Sequence, residues 1–244
     1  MNTTKTVALI TGAYKGLGLE TAKQLAQKGI TVIITARRFS DASNATKKLN
    51  NPSIIPLELD VTHYDSIQKA FKTVQADFGK LDILINNAGI MKDPNWMSIN
   101  ASQVPLDILR ETFEANYFGA IAVTQTFLPL IKKSAAGRIV NVSSILGSLN
   151  VHSQIEGDFA QIKPLAYDSS KAALNMFTIH LAAELRNTAV KVNSAHPGWV
   201  KTDMGGEQAP MVVEDGAKTM VELATLNSAG PTGGFYHLGE SLPW

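Results

Sequence analysis

The sequence contains no cysteine, which excludes disulfide bonds and thiol catalysis and is typical of a reducing compartment. Charge of one sign is not in excess either, since 22 Lys and Arg stand against 21 Asp and Glu, a formal net charge of +1. The basic excess that favours binding to nucleic acid or an anionic membrane is therefore missing. The first apolar run, residues 7–10, is too short for a secretory signal or a membrane span. We expect a cytoplasmic chain that binds neither nucleic acid nor membrane.

Metal-binding and hydrolase signatures are missing as well. The histidines show no metal-ligand spacing such as His-Glu-x-x-His; they are His63, His152, His180, His196 and His237. We interpret them as structural or solvated side chains and predict no metal site. Ser144 together with a distant histidine is compatible with a hydrolase, but no Gly-x-Ser-x-Gly motif surrounds this serine.

Hydrophobic residues make up 45% of the chain and fall into short, near-continuous runs, which are typical of strands buried on both faces. Seven such runs occupy residues 7–10, 31–35, 54–59, 81–85, 138–142, 190–193 and 234–238. Helical patterns between them cover residues 17–28, residues 65–78 with Asp65 as the capping residue, and about 106–132. This alternation predicts a single α/β domain over residues 1–244, a Rossmann-type doubly wound parallel sheet of about seven strands with helices on both faces. We expect the cofactor half at about 1–135 and the catalytic and substrate half at about 136–244.

A glycine-rich segment follows the first predicted strand and opens the first predicted helix. Its glycines are Gly12, Gly16 and Gly18, spaced Gly-x-x-x-Gly-x-Gly, with Leu17 between the last two. Glycines let the backbone approach a pyrophosphate, and the amino end of a helix favours its negative charge. The position of this turn after the first strand favours a nucleotide site over an ordinary tight turn.

The second predicted strand ends in two arginines, Arg37 and Arg38. A dinucleotide fold that selects NAD usually carries an acidic residue here, which binds the ribose 2′-hydroxyl. This chain has none at residues 36–38, whereas an arginine can bind a 2′-phosphate with two hydrogen bonds. We predict that Arg37 or Arg38, together with Lys15 of the glycine segment, binds the 2′-phosphate of NADPH.

Tyr167 and Lys171 are four residues apart and share one helix face. A phenol beside an ammonium group is expected to lose its proton more easily than its reference pKa of about 10 implies. This spacing also occurs by chance in many helices, so the pair alone establishes no function.

Further motifs occur in a characteristic order along the chain. They are Asp60-Val61, Asn86-Asn87-Ala88-Gly89, Asn116, Ser143-Ser144 and Pro197-Gly198. With the glycine segment and the Tyr167/Lys171 pair, their order and spacing resemble the short-chain dehydrogenase/reductase family over essentially the whole chain. The segments 196–205 and 214–217 and the terminal Trp244 are most similar to NADPH-dependent carbonyl reductases. Lys15 and Arg37 also match members that use NADP.

The resemblance implies a role for each matching residue. Tyr167 would be the proton donor in reduction, Lys171 would bind the nicotinamide ribose and lower the Tyr167 pKa, and Ser144 would bind the substrate carbonyl. Asn116 would hold a water molecule in a proton relay. The remaining cofactor contacts implied by the resemblance are Asp60, Val61, Asn87, Ala88, Gly89, Pro197, Gly198, Val200 and Thr202.

Three variable segments are expected to shape the substrate pocket. The interval from Ser144 to Tyr167 is longer than the family's usual gap, and its extra residues, about 150–164, include His152, Glu156, Asp158 and Phe159. We expect them to border the substrate mouth, although plain local packing is an equally good interpretation of Phe159 and of Trp96 in the next segment. Residues 91–105, with Trp96 and Met97, are expected to form another wall. The loop 204–212, which contains Gly205, Gly206 and Pro210, is short, so we hypothesise a mobile loop and a permissive pocket.

Together these features predict an NADPH-dependent oxidoreductase that reduces an aldehyde, ketone or quinone to an alcohol. The partner is then a small-molecule carbonyl or alcohol substrate. Two alternatives stay open: an alcohol dehydrogenase that works in the oxidative direction, and a non-catalytic redox sensor that binds NADP(H). The sequence does not decide between a monomer and a homo-oligomer.

Overall fold

The computed structural model describes residues 5–94, 101–154, 156–157 and 159–244. Eight strands form one sheet in the order β3-β2-β1-β4-β5-β6-β7-β8. The strands are β1 (Val7–Ile10), β2 (Thr31–Ala36), β3 (Ile54–Glu58), β4 (Ile83–Asn86), β5 (Arg138–Val142), β6 (Lys191–Ala195), β7 (Phe235–His237) and β8 (Glu240–Ser241). All neighbouring strands are parallel except β7 and β8, which pair antiparallel.

The prediction of a doubly wound parallel sheet is confirmed, with one strand more than the seven expected. The extra strand, β8, is two exposed residues long and pairs with β7 after the turn at Leu238 and Gly239. So short a segment has no hydrophobic pattern of its own, which is why the sequence did not reveal it.

Helices cover both faces of the sheet. They are α1 (Gly16–Gln27), α2 (Phe39–Leu49), α3 (Tyr64–Phe78), α4 (Leu106–Phe113), α5 (Gly119–Ile131), α6 (Leu149–His152), α7 (Leu165–Glu184), α8 (Val213–Gly216) and α9 (Lys218–Ala224). Along β1 the side chains alternate between the two cores. Ala8 and Ile10 pack in the core that contains residues of α1 and α9, whereas Val7 and Leu9 pack with residues of α3, α5 and α7.

Two helix predictions need correction. His63, not Asp65, is the N-cap residue of α3, and Asp65 lies in the first turn, where a carboxylate still favours the helix dipole. The continuous helix expected over about 106–132 is interrupted by a π-helical segment, Glu114–Phe118. Such wide turns occur frequently at functional sites, and this one carries Asn116.

The order of the strands fixes where a ligand can bind. The chain leaves β1 toward β2 and β3 on one side and continues from β4 on the other, so the topological switch point lies between β1 and β4. Crevices at the carboxyl ends of the strands at such a point are the usual ligand sites of open α/β sheets. Among the described residues, no helix is both long enough and apolar enough to cross a lipid bilayer.

Candidate active site

The glycine segment after β1 adopts a backbone that needs its glycines. Gly12 and Gly16 have φ values of +61° and +55°, a region that other residues rarely adopt. At Gly18 a Cβ atom would lie 2.6 Å from Asn87 Nδ2 and 2.8 Å from the Ala13 Cα, so no larger side chain fits. The segment ends at the amino end of α1, which begins at Gly16 and lies at the switch point.

The loop after β4 is bonded to this glycine segment. The Asn87 amide donates hydrogen bonds to the Thr11 and Gly12 carbonyl oxygens at 2.8 and 3.1 Å. In return, the Thr11 hydroxyl oxygen accepts the backbone N–H groups of Asn87 and Ala88 at 2.9 and 3.0 Å. The glycine segment and the loop after β4, both predicted to contact the cofactor, are therefore hydrogen-bonded to each other. Thr11 was not predicted, although its place directly before Gly12 is a usable signal.

The basic groups near the end of β2 differ in their partners. Both arginines are exposed, but the Arg38 guanidinium is paired with the Asp41 carboxylate through two hydrogen bonds of 2.9 and 3.0 Å. Among the described residues, Arg37 has no side-chain hydrogen bond or ion pair. Lys15 contacts the Asp203 carboxylate at 2.5 Å, which links the glycine segment to the loop after β6. Of the three predicted phosphate ligands, Arg37 is thus the one whose side chain is uncommitted.

Asp60 and Val61 lie in the turn after β3, next to the end of β2, where the Leu59 N–H donates to the Ala36 carbonyl oxygen at 2.9 Å. The Asp60 carboxylate accepts hydrogen bonds from the Thr62 backbone N–H at 3.0 Å and the Thr62 hydroxyl at 2.7 Å. Burial opposes ionisation of Asp60, but these hydrogen bonds outweigh it and lower the pKa of the carboxyl. Val61 packs against α5, where a Cβ atom on Gly119 would come within 2.9 Å of the valine.

Residues after β6 close the other side of the crevice. Gly198 has a φ of +88°. Thr202 lies beside Gly16, since a Cβ atom placed on Gly16 would be 3.7 Å from the Thr202 methyl carbon. Val200 and Met211 form a β-bridge, and the Lys201 N–H donates to the Met211 carbonyl oxygen at 2.9 Å. These bonds join the residues before the loop 204–212 to Met211 near its end; the mobility of the loop stays a prediction.

Ser144, Tyr167 and Lys171 meet at the carboxyl end of β5. Ser144 follows that strand, and its hydroxyl is hydrogen-bonded to the Tyr167 phenol. Lys171, 4% exposed, donates from Nζ to the Val142 carbonyl oxygen at 2.8 Å. The ammonium nitrogen lies 5.5 Å from the centre of the Tyr167 ring. The structure therefore brings together the three side chains of the predicted proton-transfer site.

The pKa values of this pair differ from the expectation of an acidified phenol. Burial raises the pKa of Tyr167 to about 12, and the hydrogen bond from Ser144 offsets only part of that effect. Burial also lowers the pKa of Lys171 to about 8. The predicted lowering of the Tyr167 pKa is wrong for this structure, because burial disfavours the phenolate more than the hydrogen bond from Ser144 favours it. A protonated phenol at neutral pH is the form that a proton donor requires.

Asn116 binds protein groups with its whole amide. Its Oδ1 accepts the Ile90 N–H at 2.8 Å, and its Nδ2 donates to the Ile90 carbonyl oxygen at 2.9 Å and to the Ser170 hydroxyl at 3.0 Å. The residue thus connects the loop after β4 to α7. The water-holding role implied by the family stays a prediction; what the structure adds is this connecting role of the side chain.

The insert before Tyr167 packs against the outer side of α7. The Lys163 ammonium donates to His152 Nδ1 at 2.8 Å, and His152 Nε2 lies 3.0 Å from an Asp168 oxygen. These three side chains line one wall of a cavity of about 430 Å³, and Ser169 and Ala172 also line it. Successive residues of a helix are rotated by about 100°, so the side chains of Ser169 and Ala172 face away from that of Tyr167. His152 and Lys163 of the insert thus line a cavity on the side of α7 that faces away from Tyr167, and the expectation that the insert borders the substrate mouth stays a prediction.

Several residues of the variable segments contribute little to the described geometry. Glu156 is exposed, and the Phe159 carbonyl oxygen accepts a hydrogen bond from the Lys163 ammonium at 3.2 Å. Asp158, Trp96 and Met97 lie outside the described residues. Within the described part of the chain, no group of three or more His, Asp or Glu side chains is placed to hold a metal ion.

One buried carboxylate near the site was missed in the sequence. Asp93, 8% exposed, accepts hydrogen bonds from the backbone N–H groups of Ala166 and Tyr167 at 2.9 and 3.1 Å. Its partners follow more than seventy positions later, so no local pattern connects them. The Asp-Pro pair at residues 93–94 signals only the end of a loop.

Comparison with known proteins agrees with this geometry. The family model described as short chain dehydrogenase matches residues 6–212. The short-chain dehydrogenase anuI of Penicillium roqueforti is 40% identical, with 92% of this chain and 90% of that protein covered. Salutaridine reductase of Papaver bracteatum is 32% identical, with 96% and 94% covered. The structure of NADPH-bound carbonyl reductase from chicken fatty liver superposes with a TM-score of 0.86 at 28% identity, covering 98% and 99% of the two chains.

The chain belongs to the short-chain dehydrogenase family. The resemblance inferred from the ordered motifs, including the likeness to carbonyl reductases, is confirmed. The protein is therefore an oxidoreductase of this family, with a fold that binds a nicotinamide cofactor.

Proposed function

We propose that this protein is an NADPH-dependent reductase that converts an aldehyde, ketone or quinone to the alcohol. The observation that carries the proposal is the meeting of Ser144, Tyr167 and Lys171 at the carboxyl end of β5, beside the glycine segment. Similarity to a salutaridine reductase and to an NADPH-bound carbonyl reductase supports the same chemistry.

The cradle around the crevice fits a nicotinamide dinucleotide. At Gly89 a Cβ atom would enter the crevice, 3.5 Å from Lys171 Nζ and 3.3 Å from Asn116 Oδ1, so the glycine leaves the ammonium accessible from that side. The amino end of α1 would take the pyrophosphate. Lys171 would bind the nicotinamide ribose, and Asp60 and Val61 would contact the adenine. The cofactor, when bound, supplies the hydride.

The side chains of this protein stabilise the carbonyl oxygen and supply its proton. Negative charge develops on the carbonyl oxygen as the hydride arrives, and the hydroxyls of Ser144 and Tyr167 donate hydrogen bonds to that oxygen. Each preorganised donor contributes roughly 10²–10³ in rate. Tyr167 then transfers its proton, and the charge of Lys171 stabilises the phenolate that forms. General acid catalysis of this kind contributes about 10²–10⁴.

Incubation with NADPH and a panel of aldehydes, ketones and quinones tests the proposal, with NADH in a parallel series. Consumption of NADPH that depends on the carbonyl compound is the expected result. A non-catalytic sensor would bind NADPH without consuming it. An alcohol dehydrogenase would also consume NADPH with carbonyl compounds, since an enzyme catalyses both directions of its reaction, and a higher kcat/KM for the alcohol with NADP⁺ than for the carbonyl compound with NADPH would identify it.

Arg37 is proposed as the ligand of the 2′-phosphate, because Arg38 is already paired with Asp41. Arg37→Ala is expected to raise the KM for NADPH by roughly tenfold to a hundredfold, the equivalent of one charge-assisted pair of hydrogen bonds. The KM for NADH should stay within about twofold. Steady-state kinetics with both cofactors measures the difference.

Arg38→Ala is the matched control, since it removes an equally exposed guanidinium from the next position. It should leave both KM values nearly unchanged. A larger loss of NADPH affinity in Arg38→Ala than in Arg37→Ala would transfer the role to Arg38.

A further inference from the structure

The amino end of the catalytic helix is held by a carboxylate from another part of the chain. Pro164, the N-cap residue of α7, provides no side-chain hydrogen bond to the helix. The first N–H groups of a helix lack partners within it. Asp93 supplies them, with one carboxylate oxygen 2.9 Å from the Ala166 nitrogen and the other 3.1 Å from the nitrogen of Tyr167. The proposed proton donor is thus itself bonded through its backbone.

The same loop is bonded to α7 a second time. Ile90 is held by the Asn116 amide, which also donates to the Ser170 hydroxyl at 3.0 Å. That hydroxyl donates to the Tyr167 carbonyl oxygen at 2.7 Å. Both backbone polar groups of Tyr167 therefore take part in bonds that lead to the loop 87–93. This loop also contains Gly89, which lies beside the Lys171 ammonium.

The charge distribution around this contact suits an anion at residue 93. The neighbouring carboxyl of Asp168 is buried, and burial together with the negative charge of Asp93 raises its pKa to about 8. Lys163 opposes that shift, and His152 contacts the same carboxyl. The raised pKa favours the protonated form of Asp168. A single negative charge then lies at the amino end of α7, where the helix dipole favours it.

We propose that Asp93 is a positioning residue for proton transfer, because it fixes the backbone of Tyr167 relative to the cofactor-lining loop 87–93. The phenol is then directed toward the carbonyl oxygen at the distance that transfer requires. This inference rests on the proposed reductase function, in which Tyr167 is the proton donor. A displacement of about 1 Å in a catalytic group is enough to lower turnover by about 10².

Asp93→Ala tests the role by removing both hydrogen bonds. Asp93→Asn removes only one of them, since the amide oxygen accepts one N–H while the amide nitrogen faces the other. For turnover of a carbonyl substrate, kcat is expected to fall between tenfold and a hundredfold in Asp93→Ala, with a smaller loss in Asp93→Asn. The dissociation constant for NADPH, measured by fluorescence titration, should stay within about twofold. All assays are run well below the Tm of each variant.

Asp82→Ala is the matched control. Asp82 is about equally buried and also accepts a backbone N–H, that of Val7 at 2.9 Å, but it lies at the amino end of β4, whereas Asp93 follows the carboxyl end of that strand. Its loss should lower Tm at least as much as Asp93→Ala, because it also bonds Ser134 and Lys80. Its kcat should equal that of the wild type.

The outcomes separate the two proposals. A slow Asp93→Ala with intact NADPH binding, beside a fully active Asp82→Ala, supports the positioning role. Wild-type kcat in Asp93→Ala overturns it, and so does a loss confined to NADPH affinity or a kcat that falls equally in both variants. An inactive wild type with every carbonyl compound overturns the reductase function itself, and the positioning role with it.

Discussion

Tyr167→Phe is expected to lower kcat for carbonyl reduction by about 10²–10⁴, the contribution of a general acid. The substitution removes only the hydroxyl, and with it the hydrogen bond to Ser144. The ring that packs beside Lys171 stays in place, so the fold and the NADPH affinity should be unchanged. Stopped-flow measurement of NADPH oxidation separates the chemical step from cofactor binding.

The matched control is Tyr117→Phe. Tyr117 lies in the π-helical segment and stacks edge-on against Phe113 at 6.0 Å between ring centres. This variant loses the same hydroxyl from a partly buried tyrosine and should keep wild-type turnover. Near-wild-type turnover in Tyr167→Phe would remove the tyrosine from the mechanism and leave Ser144 as the only hydroxyl donor proposed.

Lys171→Met is expected to lower kcat by about 10² and to weaken NADPH binding by roughly tenfold, since it removes one preorganised charge and one ribose contact. Methionine keeps much of the volume of the side chain, so loss of packing is small. Fluorescence titration with NADPH and steady-state kinetics measure the two effects. An unchanged affinity for NADPH would argue against the ribose role.

The pH dependence provides an independent test of the same residue. Because burial lowers the pKa of Lys171 to about 8, the ammonium is charged below that pH and neutral above it. The value of kcat/KM for NADPH, which reports the free protein, should therefore be flat below pH 8 and fall by about tenfold per pH unit above it. Arginine keeps its charge throughout this range. Any residual activity of Lys171→Arg should accordingly lack the alkaline fall.

Much of the fold could be read from local patterns, whereas most of the predicted site residues came from the family resemblance. The runs at residues 7–10 and 138–142 coincide with β1 and β5, because strands buried on both faces need continuous apolar side chains. Tyr167 and Lys171 share a helix face because their spacing is close to one helical turn. Glycine is needed at Gly12 because its φ of +61° strains other residues. In each case the deciding interaction acts within a few residues.

Other features depend on residues that only folding brings together. The proposal that Arg37 rather than Arg38 binds the 2′-phosphate depends on Asp41, which pairs with Arg38. The partner of Lys15 is Asp203, far along the chain. The base of the loop 204–212 is joined by a bridge between Val200 and Met211. A short glycine-containing loop has no local pattern that announces such a bridge.

The sequence by itself determined the alternation of strands and helices, the glycine turn and the Tyr167/Lys171 pair, because these follow from short-range backbone geometry. Only the tertiary structure decided the protonation of that pair. Spacing alone predicted a phenol with a lowered pKa, whereas burial raises the Tyr167 pKa to about 12. Desolvation depends on everything packed around a group. The bond between Asp93 and the backbone of Tyr167 likewise depends on tertiary packing, which brings the loop after β4 to the amino end of α7.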